Sequence, residues 1–176
     1  DAVMRRLNSG VYSDILPFLI EVLASEKLTK KHFILYILDR FHDFIGLLRL
    51  HNRDLTHAQA LVEQLWQYHE VIFTFLRTGN KSEKKASMGI LSKFNQHANS
   101  VLTQIIDILP NEKNEHLRML ILDNIWSELL KYEEARNVAQ LEFIPFLHKL
   151  VVNDPSHVVR VSASVIMIDI LEKNVP

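Results

Sequence analysis

The sequence predicts an all-α fold made of antiparallel helix pairs, and three observations predict it. Apolar residues recur at three- and four-residue spacing along almost the whole 176-residue chain. Glycine and proline, 4 and 5 in number, are too few for the turns an all-β chain of this length needs. No hairpin signal such as Asn-Gly between alternating runs occurs. An apolar share of 48% and a charged share of 23% are ordinary for a folded chain long enough to bury a core.

The elements follow in order. Ile15, Leu16, Leu19, Ile20, Val22 and Leu23 fill one wide helical face. Thr29 is a candidate N-cap for a second run through Phe33, Ile34, Tyr36, Ile37, Leu38 and Phe41, continuing to about Leu50. After the polar break His51–Asp54, Thr56 caps one long helix through Leu65, Trp66, Ile72 and Leu76. Gly79-Asn80 stops it as a pair that tolerates left-handed backbone. Ser82 opens the next helix, which carries Met88, Ile90, Leu91 and Phe94. Beyond Asn99-Ser100 a helix runs from Val101 to Leu109, and Pro110-Asn111 closes it. Another spans about Asn114 to Tyr132. The last two are Leu141–Val152 and Ser156–Glu172, separated by Asn153-Asp154-Pro155. Breaks of two to six residues between helices imply antiparallel neighbours.

The helices repeat as pairs. Ile15-Leu16-Pro17-Phe18-Leu19 and Phe143-Ile144-Pro145-Phe146-Leu147 set proline at the same point of the apolar pattern, each followed by a break and a second helix. Leu102–Leu109 is an intermediate copy, and Val71–Leu76 a looser one. Second helices start near Lys31, Lys85, Arg118 and Arg160, at spacings of 54, 33 and 42 residues. The segment Glu142–Asn174, with its Asp-Pro turn and Val158-Val159-Arg160 opening a second helix rich in small residues, resembles a HEAT repeat. The resemblance implies an armadillo-like α-solenoid of about four helix pairs: residues 11–50, 56–98, 100–133 and 138–174 of one domain spanning 1–176. It also implies a hydrogen-bonded ladder between stacked repeats, from an acid in the turn and an Arg six residues later. Asp154 with Arg160 and Glu112 with Arg118 match that spacing.

The chain starts without an initiator Met or an apolar signal core, in what reads as the end of a helix closed by Asn8-Ser9-Gly10. The last helix is apolar nearly all round at Val165, Ile166, Met167, Ile168, Ile170 and Leu171. Both features suggest a slice of a longer array, with a further repeat or a partner over the final helix; burial against the preceding pair explains the apolar helix equally well.

Chemistry is sparse. The chain has no cysteine, so disulfides, thiolate metal sites and Cys nucleophiles are excluded. No two of the nine histidines stand three or four residues apart, as a helical zinc pair would. Asp39, His42 and Asp43 share a helical face but read better as surface side chains. The four glycines are isolated, so no phosphate-cradling loop forms, and no Gly-x-Ser-x-Gly elbow occurs. No cofactor, metal, small-molecule substrate or enzymatic activity is expected, and no run of about 20 apolar residues offers a membrane span.

The basic residues Lys30, Lys31, Lys84, Lys85, Arg118 and Arg160 occupy equivalent positions, so stacking would align them as a candidate partner-binding edge. Neighbouring Glu26, Glu83, Glu112, Glu115 and Asp154 dilute that field, and the net charge is −1. A structural ladder at Arg118 and Arg160, with solvated helix starts elsewhere, explains the pattern better. Lys84-Lys85-Ala86-Ser87 loosely resembles a basic-directed phosphorylation site, although a helical Ser87 would be poorly accessible. Trp126 is expected in the core, whereas Trp66 is the better candidate for exposure. The expected function is a non-catalytic protein-binding scaffold or regulatory module within a larger complex, holding its partner along the second helices. A nucleic-acid-associated HEAT module of chromosome or RNA processing is the alternative. Either suits an intracellular protein of cytoplasm or nucleus.

Overall fold

Helical periodicity becomes helix throughout the computed structural model, which describes residues 11–25, 31, 34–38, 56–131 and 142–172. Among these residues there is no strand, and no helix is long and apolar enough to cross a membrane. The chain divides into two compact units, Asp1–Ile90 and Leu91–Pro176.

In the first unit α1 is Val11–Ala24, residues 34–38 are helical, and α2 (Thr56–Trp66), α3 (His69–Thr78) and α4 (Lys81–Leu91) follow. α1 packs against α2. Ile20, Leu23, Leu35, Leu38, Leu65, Ile72, Phe73 and Leu76 form the buried core. The expected N-cap Thr29 and the run from residue 39 to 55 lie outside the described residues.

Three expectations need correction here. The single helix from Thr56 to Leu76 is two helices with a turn at Gln67-Tyr68. His69 Nδ1 donates to the Trp66 carbonyl at 2.7 Å, and its ring stacks on the indole with centroids 4.2 Å apart. That carbonyl is the one an uninterrupted helix would offer to residue 70. Gly79 is extended (φ −67°, ψ 168°), not left-handed. Its glycine is required by space instead: a Cβ would meet the Phe75 carbonyl oxygen at 2.5 Å and Glu83 Cβ at 2.8 Å. The residue opening α4 is Asn80 rather than Ser82. Asn80 Oδ1 accepts from the amides of Ser82 and Glu83, and Glu83 Oε2 accepts from the Asn80 amide at 2.8 Å. Two otherwise orphaned amides at the helix start and the Asn80 amide are thereby satisfied by reciprocal bonds.

In the second unit α5 is Ala98–Ile108, α6 Glu115–Ser127, α7 Ile144–Asn153 and α8 His157–Glu172. Single 3₁₀ turns at Asn95–His97, Leu109–Asn111 and Leu129–Lys131 close or precede them. The expected break at Asn99-Ser100 is displaced: both residues lie exposed in the first turn of α5, and the irregular segment precedes Ala98. A first turn tolerates Asn and Ser because its amides lack helical partners anyway. α8 packs on α7 and also along α6. Its Val159, Ala163, Ile166 and Ile170 recur at helical spacing and are buried, as are Leu117, Ile121 and Ile125 of α6 and Phe146, Leu147 and Leu150 of α7. Each Val, Leu, Ile or Phe side chain among them contributes about 1.5–3 kcal/mol when fully buried. The two prolines are not equivalent: Pro145 is in the first turn of α7, where its missing N–H costs nothing, while Pro17 lies inside α1.

Candidate interaction surface

Two turns in the second unit are built alike, 42 residues apart. In the first, a Glu112 carboxylate oxygen accepts the Asn114 amide at 2.7 Å, and Asn114 caps α6 by accepting from His116 and Leu117. In the second, Asp154 Oδ1 accepts the Ser156 amide at 2.8 Å, and Ser156 Oγ faces the Val159 amide at 3.5 Å. Each turn has an arginine four residues beyond its cap. Arg118 Nη1 donates to the carbonyls of Glu112 and Lys113 at 3.0 and 3.1 Å. Arg160 Nη1 donates to the carbonyls of Asp154 and Pro155 at 2.7 and 3.2 Å. One guanidinium nitrogen thus ties up the carbonyls of its own turn in both copies.

The other edge of each guanidinium differs. Arg118 Nε and Nη2 grip Asp154 Oδ2 and Oδ1, each at 2.9 Å, in a two-pronged ion pair. The side chains of this pair are 7% and 4% exposed. The acid–base contact therefore joins one helix pair to the next, from residue 118 to residue 154. Arg160 is half-buried, and its Nε and Nη2 meet no partner among the described residues.

The remaining cations are placed differently from one another. Lys30 lies outside the described residues. Lys31 is half-buried, its Nζ 5.4 Å from the centre of the Phe75 ring. Lys84 is half-buried and Lys85 exposed. Arg118 does not present its charge to solvent, being 6% exposed. Ser87 is fully buried and its hydroxyl finds no partner, so a kinase could not reach it without unfolding α4.

The metal candidates Asp39, His42 and Asp43 are outside the described residues, and among those described no three ligand-type side chains gather. His69 with Glu70 and His116 with Glu115 touch at 3.4 and 3.8 Å as sequence neighbours. An open groove of about 660 Å³ runs over the Arg118–Asp154 pair, walled by Ile106, Pro110, Phe146 and Leu150, with Lys113 and Lys149 also lining it. Its walls are mainly apolar, and both of its carboxylates already accept hydrogen bonds within the chain. No nucleophile and base converge in it.

Exposed apolar side chains occur singly at Phe18 and Val152, and in a continuous line on α8. Val158, Val161, Val165 and Ile168, at spacings of three, four and three, form a strip opposite its buried face and are 46–52% exposed. Trp126 corrects an expectation: it is 43% exposed, with its indole N–H donating to Asp169 Oδ2 of α8 at 3.0 Å. The indole is held by a carboxylate on the neighbouring helix, so it lies over the α6–α8 contact instead of beneath it. Trp66, expected to be the more exposed, is half-buried against His69. Comparisons with protein-family models, curated proteins and solved structures find no match to this chain.

Proposed function

We propose that this chain is a non-catalytic protein-binding module: HEAT-like helix pairs stacked as an α-solenoid, with a protein partner held along the second helices. The observation that carries the reading is the exposed strip Val158, Val161, Val165 and Ile168 on α8, the second helix of its pair. Four half-exposed β-branched side chains in one line are what a helical partner would dehydrate. The interpair contact at Arg118–Asp154 supports the stacking half of the proposal, because the same turn recurs at a 42-residue interval. A role inside a larger intracellular complex follows from the same reading. Val161→Glu/Val165→Glu tests it. The double variant should keep the parent's far-UV circular dichroism and melting behaviour, since both positions are exposed, and should lose proteins that the parent retains in quantitative affinity purification. Retention of the same set by both proteins would sink the proposal.

A further inference from the structure

The groove over the Arg118–Asp154 pair has charges of two kinds, those already satisfied and those left open. At its base, the two-pronged ion pair and the turn bonds to the Glu112 and Lys113 carbonyls and the Ser156 amide satisfy both charges. The same ion pair ties α6 to the turn between α7 and α8, which holds the walls of the groove at a set separation. Ile106 and Pro110 stand on one wall and Phe146 and Leu150 on the other. Glu112 also lines the groove, and its carboxylate is engaged by the Asn114 amide. The two lysines are different. Lys113, in the turn before α6, and Lys149, beside Leu150 on α7, are both exposed along the groove. Neither ammonium has an ion-pair or hydrogen-bond partner among the described residues.

Apolar walls flanked by uncompensated positive charge fit a ligand that is apolar in the middle and negative around it. From this we infer that the groove is a docking site for an acidic peptide segment of a protein partner. The segment seats an apolar side chain between α5 and α7 and sets Asp or Glu carboxylates against Lys113 and Lys149. Charge complementarity identifies the occupant. A volume of about 660 Å³ is enough for such an anchor and its neighbours. A small molecule would need enclosing walls and polar groups aimed at it, whereas this groove is open and the polar groups at its base bind each other. A phosphate backbone would need a row of cations, and two are free here. No residue of α8 lines the groove, so a further helix pair stacked on α8 does not fill it. The inference rests on the protein-binding reading but uses a different surface from the valine strip, and it specifies the chemistry of the bound segment.

The test selects peptides from a random-peptide phage library on the full chain and measures the enriched peptide by fluorescence polarisation. Enriched sequences should carry an apolar residue flanked by Asp or Glu. Lys113→Glu/Lys149→Glu should weaken the enriched peptide on the order of tenfold or more, and Lys113→Gln/Lys149→Gln should weaken it less. Both lysines are exposed, so the circular dichroism of these variants should match that of the parent. Serine in place of the peptide's apolar residue, a change that leaves the protein untouched, should abolish binding. Val161→Glu/Val165→Glu should leave the peptide's affinity unchanged. Enrichment of no peptide, or of basic or uncharged ones, overturns the inference, and so does binding that survives reversal of both lysines. Oligouridylate that binds more tightly than any peptide and is lost in the same lysine variant overturns it in favour of a phosphate ligand. If no peptide binds while Val161→Glu/Val165→Glu still strips partners, only the groove falls and the protein-binding reading stands.

Discussion

At the scale of single residues, the Arg118–Asp154 pair decides how the second unit is held. Burying two charges is expensive, and the fork geometry with 2.9 Å contacts on both prongs is what offsets the cost. Arg118→Met leaves Asp154 as a buried charge with only the Ser156 amide for company, and should destabilise the chain by about 3–5 kcal/mol in urea unfolding. Arg118→Met/Asp154→Leu removes both charges and should recover the part of that loss due to the unpaired buried carboxylate, leaving about 1 kcal/mol for each turn bond that is gone, to the Ser156 amide and to the carbonyls of Glu112 and Lys113. If the double variant is as damaged as the single one, the pair contributes through something other than mutual neutralisation. This contact also shows what spacing within one motif conceals. The acid and base six residues apart are the two kinds of partner in a contact between helix pairs, and the carboxylate of Asp154 reaches the arginine 36 residues before it. The signal that marks the partner is the 42-residue recurrence of the turn, which places an equivalent arginine in the preceding pair.

At the scale of elements, helix starts are set by side chains whose role is local, and that decides which boundaries are legible. Asn114 and Ser156 stand directly before apolar-periodic runs, and the helices begin one residue later, at Glu115 and His157. At α4 two candidates compete, and the reciprocal bonds of Asn80 and Glu83 select Asn80. Asn80→Ala should therefore cost about 0.5–2 kcal/mol, whereas Ser82→Ala should stay within about 0.5 kcal/mol of the parent in the same denaturation assay. Equal losses would place the cap elsewhere. Gly79→Ala should also destabilise, by about 1–3 kcal/mol, because the added methyl collides with the Phe75 carbonyl while φ itself suits any residue. The all-α character was legible because the 3.6-residue pattern runs through every described element. The turn between α2 and α3 was not, since neither glycine nor proline marks it and the interruption depends on an imidazole capturing one carbonyl. Exposure of Trp126 escaped for a similar reason: residue type argues for burial, and the acceptor that holds the ring outside lies 43 residues away.

At the scale of the whole molecule, the distribution of charge bears on the choice between the proposed protein partner and a nucleic acid. A net charge of −1 supplies no long-range attraction to phosphate, so a phosphate-binding edge would need a local row of free cations. Of the six basic residues at equivalent places in the sequence pattern, Arg118 is neutralised by Asp154 inside the fold and Lys31 lies over an aromatic ring. Arg160 spends one nitrogen on its own turn. Had the row bound a backbone through six or more phosphate contacts, affinity would fall about 10³–10⁵-fold between 50 and 200 mM salt. The expected outcome of filter binding with single- and double-stranded DNA and RNA is retention no greater than that of an acidic control protein at 50 mM salt, and no slope to measure. An affinity that is strong at 50 mM and falls steeply with salt would reverse the assignment and make the exposed Lys85 and the open edge of Arg160 the first residues to substitute. The valine strip points the other way: it gains nothing from low salt, so an association mediated by it should persist, or tighten, as ionic strength rises, and Val161→Glu/Val165→Glu should abolish it at every salt concentration.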